Sequence, residues 1–110
     1  MSISKITIQD GKMSMIFDFK DINYISFHKM YSCCNFTNGK ELKINTEYNR
    51  LKELFPPDQF LCVTNAFIIN INEIKSITKM DDRSRIKMKN NKCIIINTSY
   101  ANFSAHFLVF

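Results

Sequence analysis

The stretch Phe60-Leu61-Cys62-Val63-Thr64-Asn65-Ala66-Phe67-Ile68-Ile69-Asn70-Ile71 is apolar enough for the inside of a sheet, yet Thr64 and Asn65 interrupt it in the middle. Short runs of aromatic and β-branched residues bounded by polar breaks are read as strands. The segment therefore predicts strands over 61–63 and 67–69, with a loop between them. Asn65 suits a loop because Asn tolerates unusual backbone angles. Asn70 is assigned to structure, since an Asn side chain can satisfy backbone groups where a strand ends.

The same texture extends in both directions. Upstream, residues 3–10 alternate, and Asp10-Gly11 turns them into a second strand over 13–19. Strands follow over 21–27 and 31–36, and Asn38-Gly39, the strongest short hairpin signal in the chain, leads to 42–44. One helix is expected over 47–55. Thr46 is its N-cap, Glu47 an early acid, and Leu51, Leu54 and Phe55 its apolar face, and Pro56-Pro57 ends it. Downstream, strands are expected over 74–80, 84–88 and 93–96, with turns at Asp81-Asp82 and Asn90-Asn91. Residues 99–110 form a short helix or an irregular apolar tail, in which Phe107-Leu108-Val109-Phe110 needs a core or a partner surface to cover it. The fold class is mainly β, with small antiparallel sheets and one short helix.

At 110 residues, of which 45% are hydrophobic and fourteen are Phe or Tyr, the chain suits one domain spanning 1–110 and not a disordered segment. No run of about 18 apolar residues exists and no secretory signal pattern opens the sequence, so a cytoplasmic location without membrane contact is the expectation. The net charge of +5 is concentrated: residues 79–92 hold six basic side chains against Asp81 and Asp82, while the other 96 hold nine basic and eight acidic. Within that segment Arg83, Arg85, Lys87 and Lys89 alternate with Ser84, Ile86, Met88 and Asn90, which puts four cations on one strand face. Such a face can lie along a phosphate backbone with strong salt dependence, or simply be a solvated face that discourages edge pairing.

Catalytic chemistry finds no foothold. With two glycines there is no phosphate-binding Gly-rich loop, no Gly-x-Ser-x-Gly elbow is present, and His28 and His106 pair with no acid or Cys at ligand spacing. An enzyme, a cofactor and a metal are therefore not expected. Cys33, Cys34, Cys62 and Cys93 lack metal-ligand spacing, and neighbours such as Cys33 and Cys34 point to opposite faces of a strand. Reduced, mostly buried thiols are expected, and a metal- or redox-linked sensor is the weaker reading.

The ordered set Asp21-Ile22-Asn23-Tyr24-Ile25, Thr37-Asn38-Gly39-Lys40, Leu51-Lys52-Glu53-Leu54, Phe60, Phe67-Ile68-Ile69-Asn70, Ile74-Lys75-Ser76-Ile77, Lys89-Asn90-Asn91 and Ile94-Ile95-Ile96-Asn97-Thr98-Ser99-Tyr100 resembles the LytTR-type DNA-binding domain over nearly the whole chain. That resemblance implies an elongated arrangement of small sheets with a short helix. It also implies a bacterial transcription regulator, or the output module of a two-component response regulator, that sets loops into the grooves of double-stranded DNA at promoter direct repeats. A receiver domain or other protein partner, and a dimer on DNA, are further expectations.

Three contact regions follow from the family. The first falls on 26–30, where His28 offers a donor to base acceptors and Lys29 a phosphate contact. The second is the opening stretch. There the family typically has Phe-x-Arg-Ile-His-Arg-Ser-Phe-Ile-Val-Asn, and its Arg, His, Arg and Ser positions are held here by Cys62, Thr64, Asn65 and Ala66. Thr64 and Asn65 are the candidates left, and an Asn amide can pair with an adenine edge. The third follows the last strand, where Thr98 and Ser99 remain but no Lys or Arg occurs from 97 to 110. Two regions have lost their cations, which keeps open an alternative: a protein-interaction or dimerisation module of the same fold with weak or no specific DNA binding.

Overall fold

The computed structural model describes residues 4–44 and 46–107. They fall into two compact units divided after Ile71, at a 3-10 turn over Ile71–Glu73.

The first unit opens with a hairpin of β1 (Lys5–Asp10) and β2 (Met13–Asp18), turned at Gly11 with φ +63°. Lys5 Nζ donates to Asp18 Oδ1 at 2.6 Å across it, and this bond holds the carboxyl below the usual carboxylate range. A five-stranded antiparallel sheet follows, built from β3 (Ile22–Phe27), β4 (Ser32–Phe36), β5 (Glu41–Ile44), β6 (Phe60–Val63) and β7 (Phe67–Asn70) in the order β5-β4-β3-β7-β6. Gly39 turns β4 into β5 with φ +89°, and the Asn38 side chain accepts from Lys40 N–H.

The helix α1 (Tyr48–Leu54) connects β5 to β6. Its N-cap is Glu47, which makes no side-chain capping bond, and not Thr46. Thr46 lies one residue further out, and its carbonyl accepts from the buried Ser32 hydroxyl, which also donates to the Ile44 carbonyl. Leu51 and Phe55 are buried, but Leu54 is 57% exposed. At 3.6 residues per turn, Tyr48, Leu51 and Phe55 define the buried side, and Leu54 falls roughly a quarter-turn away from it. The core joins Ile6, Ile8, Ile22, Ile25, Ile68 and Leu51 to the rings of Phe19, Phe55 and Phe60, whose centroids lie 4.7–5.7 Å apart. Asn70, 1% exposed, donates from Nδ2 to the Ile22 carbonyl at 2.9 Å, the structural role expected of it.

The second unit is a three-stranded meander in the order β10-β9-β8, made of β8 (Ile74–Lys79), β9 (Ser84–Met88) and β10 (Cys93–Ile96), followed by the short helix α2 (Tyr100–Ser104). Ile86, Met88, Ile94, Ile96 and Phe103 are buried. The Ser84 hydroxyl, wholly buried, donates to the Thr98 carbonyl at 2.8 Å. The apolar tail beyond Phe107 lies outside the described residues.

The cysteines depart from expectation. All four are free thiols, and Cys34 is buried and Cys33 half-buried, but Cys62 and Cys93 are exposed. Cys93 sits at an outward position of β10, where strand alternation turns every second side chain to solvent, while Cys62 is exposed on β6 although Phe60, on the same strand face, is buried. Among the described residues no helix is long and apolar enough to cross a membrane.

Candidate nucleic-acid interface

In the first unit the β3–β4 hairpin ends in a two-residue tip. His28 N–H donates to the Tyr31 carbonyl at 2.8 Å, so Lys29 and Met30 form the reversal. The His28 ring stacks on Tyr31, with centroids 4.7 Å apart and planes at 26°, and its Nε2 is 3.2 Å from Ser26 Oγ. Lys43 Nζ lies 4.3 Å from the centre of the Tyr31 ring. Stacking and a cation–π contact of this kind fix side chains that would otherwise move freely on a surface.

The second loop joins β6 to β7. Thr64 (φ +52°) and Asn65 (φ +56°) both take the left-handed backbone, and Ala66 N–H closes the turn on the Val63 carbonyl at 3.0 Å. Left-handed angles are tolerable for Asn but strained for a β-branched residue. Thr64 Oγ1 donates back to the Val63 carbonyl at 2.8 Å, so its proton is committed within the turn. Phe27 N–H donates to the Ala66 carbonyl at 2.8 Å, which fastens this turn to the end of β3.

The two loops face a common cleft of about 580 Å³, lined by Phe27, His28, Lys29, Met30, Tyr31, Thr46, Glu47, Tyr48 and Asn65. Of the residues expected from sequence to touch DNA, the fold thus brings His28, Lys29 and Asn65 together, while Thr64 is not part of the lining. The Tyr48 ring meets Phe27 edge-on at 5.0 Å. Burial, then a hydrogen bond with Cys62, pushes its hydroxyl from 10.0 to about 12.

In the second unit Ser99 is the N-cap of α2, and its hydroxyl accepts from Asn102 N–H at 3.3 Å, while Thr98 is half-buried. Ser99 therefore has a folding task whatever else it touches. On β9, Arg85 stands opposite Thr78 and Ile95, and Lys87 opposite Ser76 and Cys93, so both cations lie on the outward face while Ser84, Ile86 and Met88 line the inward one. Arg83 and Lys89 flank the strand and are exposed. None of the four cations makes an ion pair among the described residues. The second unit carries seven basic and three acidic residues, the first eight and seven. No group of three or more His, Cys, Asp or Glu side chains suited to a metal ion occurs among the described residues.

Sequence reasoning passed over Tyr31 and Lys43. Lys43 pairs with Cys33, and Tyr31 stands two residues before Cys33 on β4, which makes the two diagonal neighbours on one face. The signal was the Asn38-Gly39 turn, which sets that register.

The family model described as the LytTr DNA-binding domain matches residues 12–107. A solved structure of the LytTr DNA-binding domain of a Bacillus cereus protein, described as a methyl-accepting/DNA response regulator, superposes with a TM-score of 0.79 at 21% identity, covering 99% of this chain and 100% of that one. No curated protein matches significantly.

Proposed function

Because this chain belongs to the LytTR family of DNA-binding domains, we propose that it binds double-stranded DNA sequence-specifically, as a bacterial transcription regulator or its output module, by setting loops into the grooves. The observation that carries the reading is the bond from Phe27 N–H to the Ala66 carbonyl, which holds the His28–Lys29 tip and the Asn65 turn beside one cleft.

Each residue then has a role that its chemistry suits. Asn65 pairs with an adenine edge and His28 donates to a base acceptor, while Lys29 neutralises a phosphate. Thr64, Thr98 and Ser99 offer neutral contacts, each weaker than a charged one. Arg83, Arg85, Lys87 and Lys89 lie along the phosphate backbone. Residues 1–71 and 72–110 act as one DNA-binding domain, which pairs with a second copy on direct repeats and takes its signal from a receiver domain or protein partner.

The test is a titration of the full chain against duplexes it selects from a random pool, and against scrambled duplexes, at about 50 and 200 mM salt. Selective binding that survives the higher salt supports the reading, and no binding even at low salt overturns it. Binding without selectivity but with a steep salt slope assigns the contact to the basic sheet face alone. A second reading, a protein-interaction or dimerisation module, is favoured by the turn at 64–66, which lacks any cation, and by Ser99, whose hydroxyl caps α2. It predicts self-association or partner binding with no selected duplex.

A further inference from the structure

Resting on the DNA-binding reading above, we propose that Met30 is a specificity-determining residue that packs against the C5 methyl group of a thymine in the major groove.

Met30 is 81% exposed, against 66% for Ile16, the next most exposed large apolar side chain among the described residues. It does not lie on a broad apolar face. It occupies the tip of the β3–β4 hairpin, beyond the last cross-strand bond between His28 and Tyr31. It also borders two concavities, the cleft shared by His28 and Asn65 and another of about 590 Å³ that includes Lys43 and Leu42, so it forms the ridge between them.

The ridge is apolar, with two lysines near it and Glu47 as the one acid lining the adjoining clefts. Lys29 precedes Met30 in the tip, and Lys43 sits over the neighbouring Tyr31 ring. A protein-binding hot spot sits in a well-packed pocket ringed by contacts that exclude water, whereas Met30 projects from a hairpin tip. A thioether that follows Lys29 in the tip and stands next to the Tyr31 ring under Lys43 instead matches a groove flanked by phosphates. On the major-groove edge of the bases the apolar group is the thymine methyl. The flexible, polarisable Met side chain adapts to such a small knob. His28 and Tyr31, stacked at 4.7 Å, brace the tip, so little order has to be gained on contact.

The experiment uses the full chain and the duplex it selects from a random pool, with each thymine replaced in turn by deoxyuridine, which removes only the methyl group. At one position the replacement weakens wild-type binding about three- to fivefold, the effect of leaving one methyl-sized group unburied. M30A binds the thymine duplex more weakly by a similar factor and no longer distinguishes the uracil duplex from it. K29A weakens binding to both duplexes equally and keeps the discrimination. The proposal is overturned if no deoxyuridine position matters, if M30A binds as wild type, or if M30A stays equally sensitive to the missing methyl. A pool that yields no selected duplex overturns this contact and the DNA-binding reading together, whereas a selected duplex indifferent to Met30 overturns the contact alone.

Discussion

Phe27 and Ala66, 39 residues apart in sequence, are joined by a backbone hydrogen bond of 2.8 Å from the N–H of Phe27 to the carbonyl of Ala66. The bond extends the β3–β7 ladder, in which Ser26 faces Phe67, by one step, from the last residue of β3 to the residue before β7. It makes two separate loops into one candidate surface. Asn65→Asp is the substitution that tests this surface while leaving the turn in place, because Asp also tolerates left-handed angles. It removes the amide donor and adds a negative charge. The expected outcome is an affinity loss of tenfold or more on the selected duplex, with an unchanged melting curve. Equal affinity for wild type and N65D in a fluorescence anisotropy titration would remove Asn65 from the interface.

Thr64 stores strain, since a β-branched residue at φ +52° suffers the left-handed clash of its Cβ with the following carbonyl. Thr64→Gly and Thr64→Asn relieve it. Each is expected to raise stability by about 1 kcal/mol, seen as a melting temperature higher by a few degrees. A lower melting temperature for T64N would show that the bond from Thr64 Oγ1 to the Val63 carbonyl contributes more than the strain costs.

Asn70 couples the end of β7 to β3 through the Ile22 carbonyl. Asn70→Ala leaves that buried acceptor without this donor, and the expected destabilisation is about 1–3 kcal/mol in a urea titration. Asn70→Asp is expected to be worse near neutral pH, where a carboxylate would face a carbonyl oxygen in the interior.

Arg85 and Lys87 share the outward face of the second unit's sheet. If that face tracks phosphates, R85A/K87A reduces the slope of log affinity against log salt by about 2 and affects selected and scrambled duplexes alike. An unchanged slope would leave these cations as a solvated face only, since β9 is the central strand of its sheet and not an edge.

The thiols give a test independent of DNA. Burial pushes Cys34 from 9.0 to about 12, whereas Cys62 and Cys93 are exposed. A maleimide at about pH 8 should modify Cys62 and Cys93 in the native protein and reach Cys34 only in denaturant, because the thiolate is the reacting species. The folded state raises the Cys34 pKa, so the stability linked to it is fully present below about pH 9 and is lost as pH rises towards 12. The slope of stability against pH in that window should be shallower for Cys34→Ala. Prompt native labelling of Cys34 would contradict its burial.

Much of the fold was legible in the chain because its signals are local. Alternation placed the strands within a residue or two, Asp10-Gly11 and Asn38-Gly39 placed two hairpin turns, and Pro56-Pro57 bounded the helix. The errors were local too. Thr46 was the better capping residue by type, but the Ser32 hydroxyl and the path out of β5 put Glu47 at the N-cap. Leu54 fitted the apolar spacing, yet a seven-residue helix buries only a narrow stripe, centred here on Leu51.

The sequence by itself determined a mainly β chain, the interruption at Thr64 and Asn65, and the concentration of positive charge near β9. Only the tertiary structure decided that the Asn65 turn lies beside the His28–Lys29 tip, that Tyr31 stacks on His28 with Lys43 over its ring, and that Met30 borders both clefts. Turn chemistry and alternation act between near neighbours and can be read residue by residue. The pairing of β3 with β7 is chosen by the burial of Ile25 and Ile68 and by the bond from Asn70 to Ile22, contacts between segments far apart in sequence that exist only once the chain has folded.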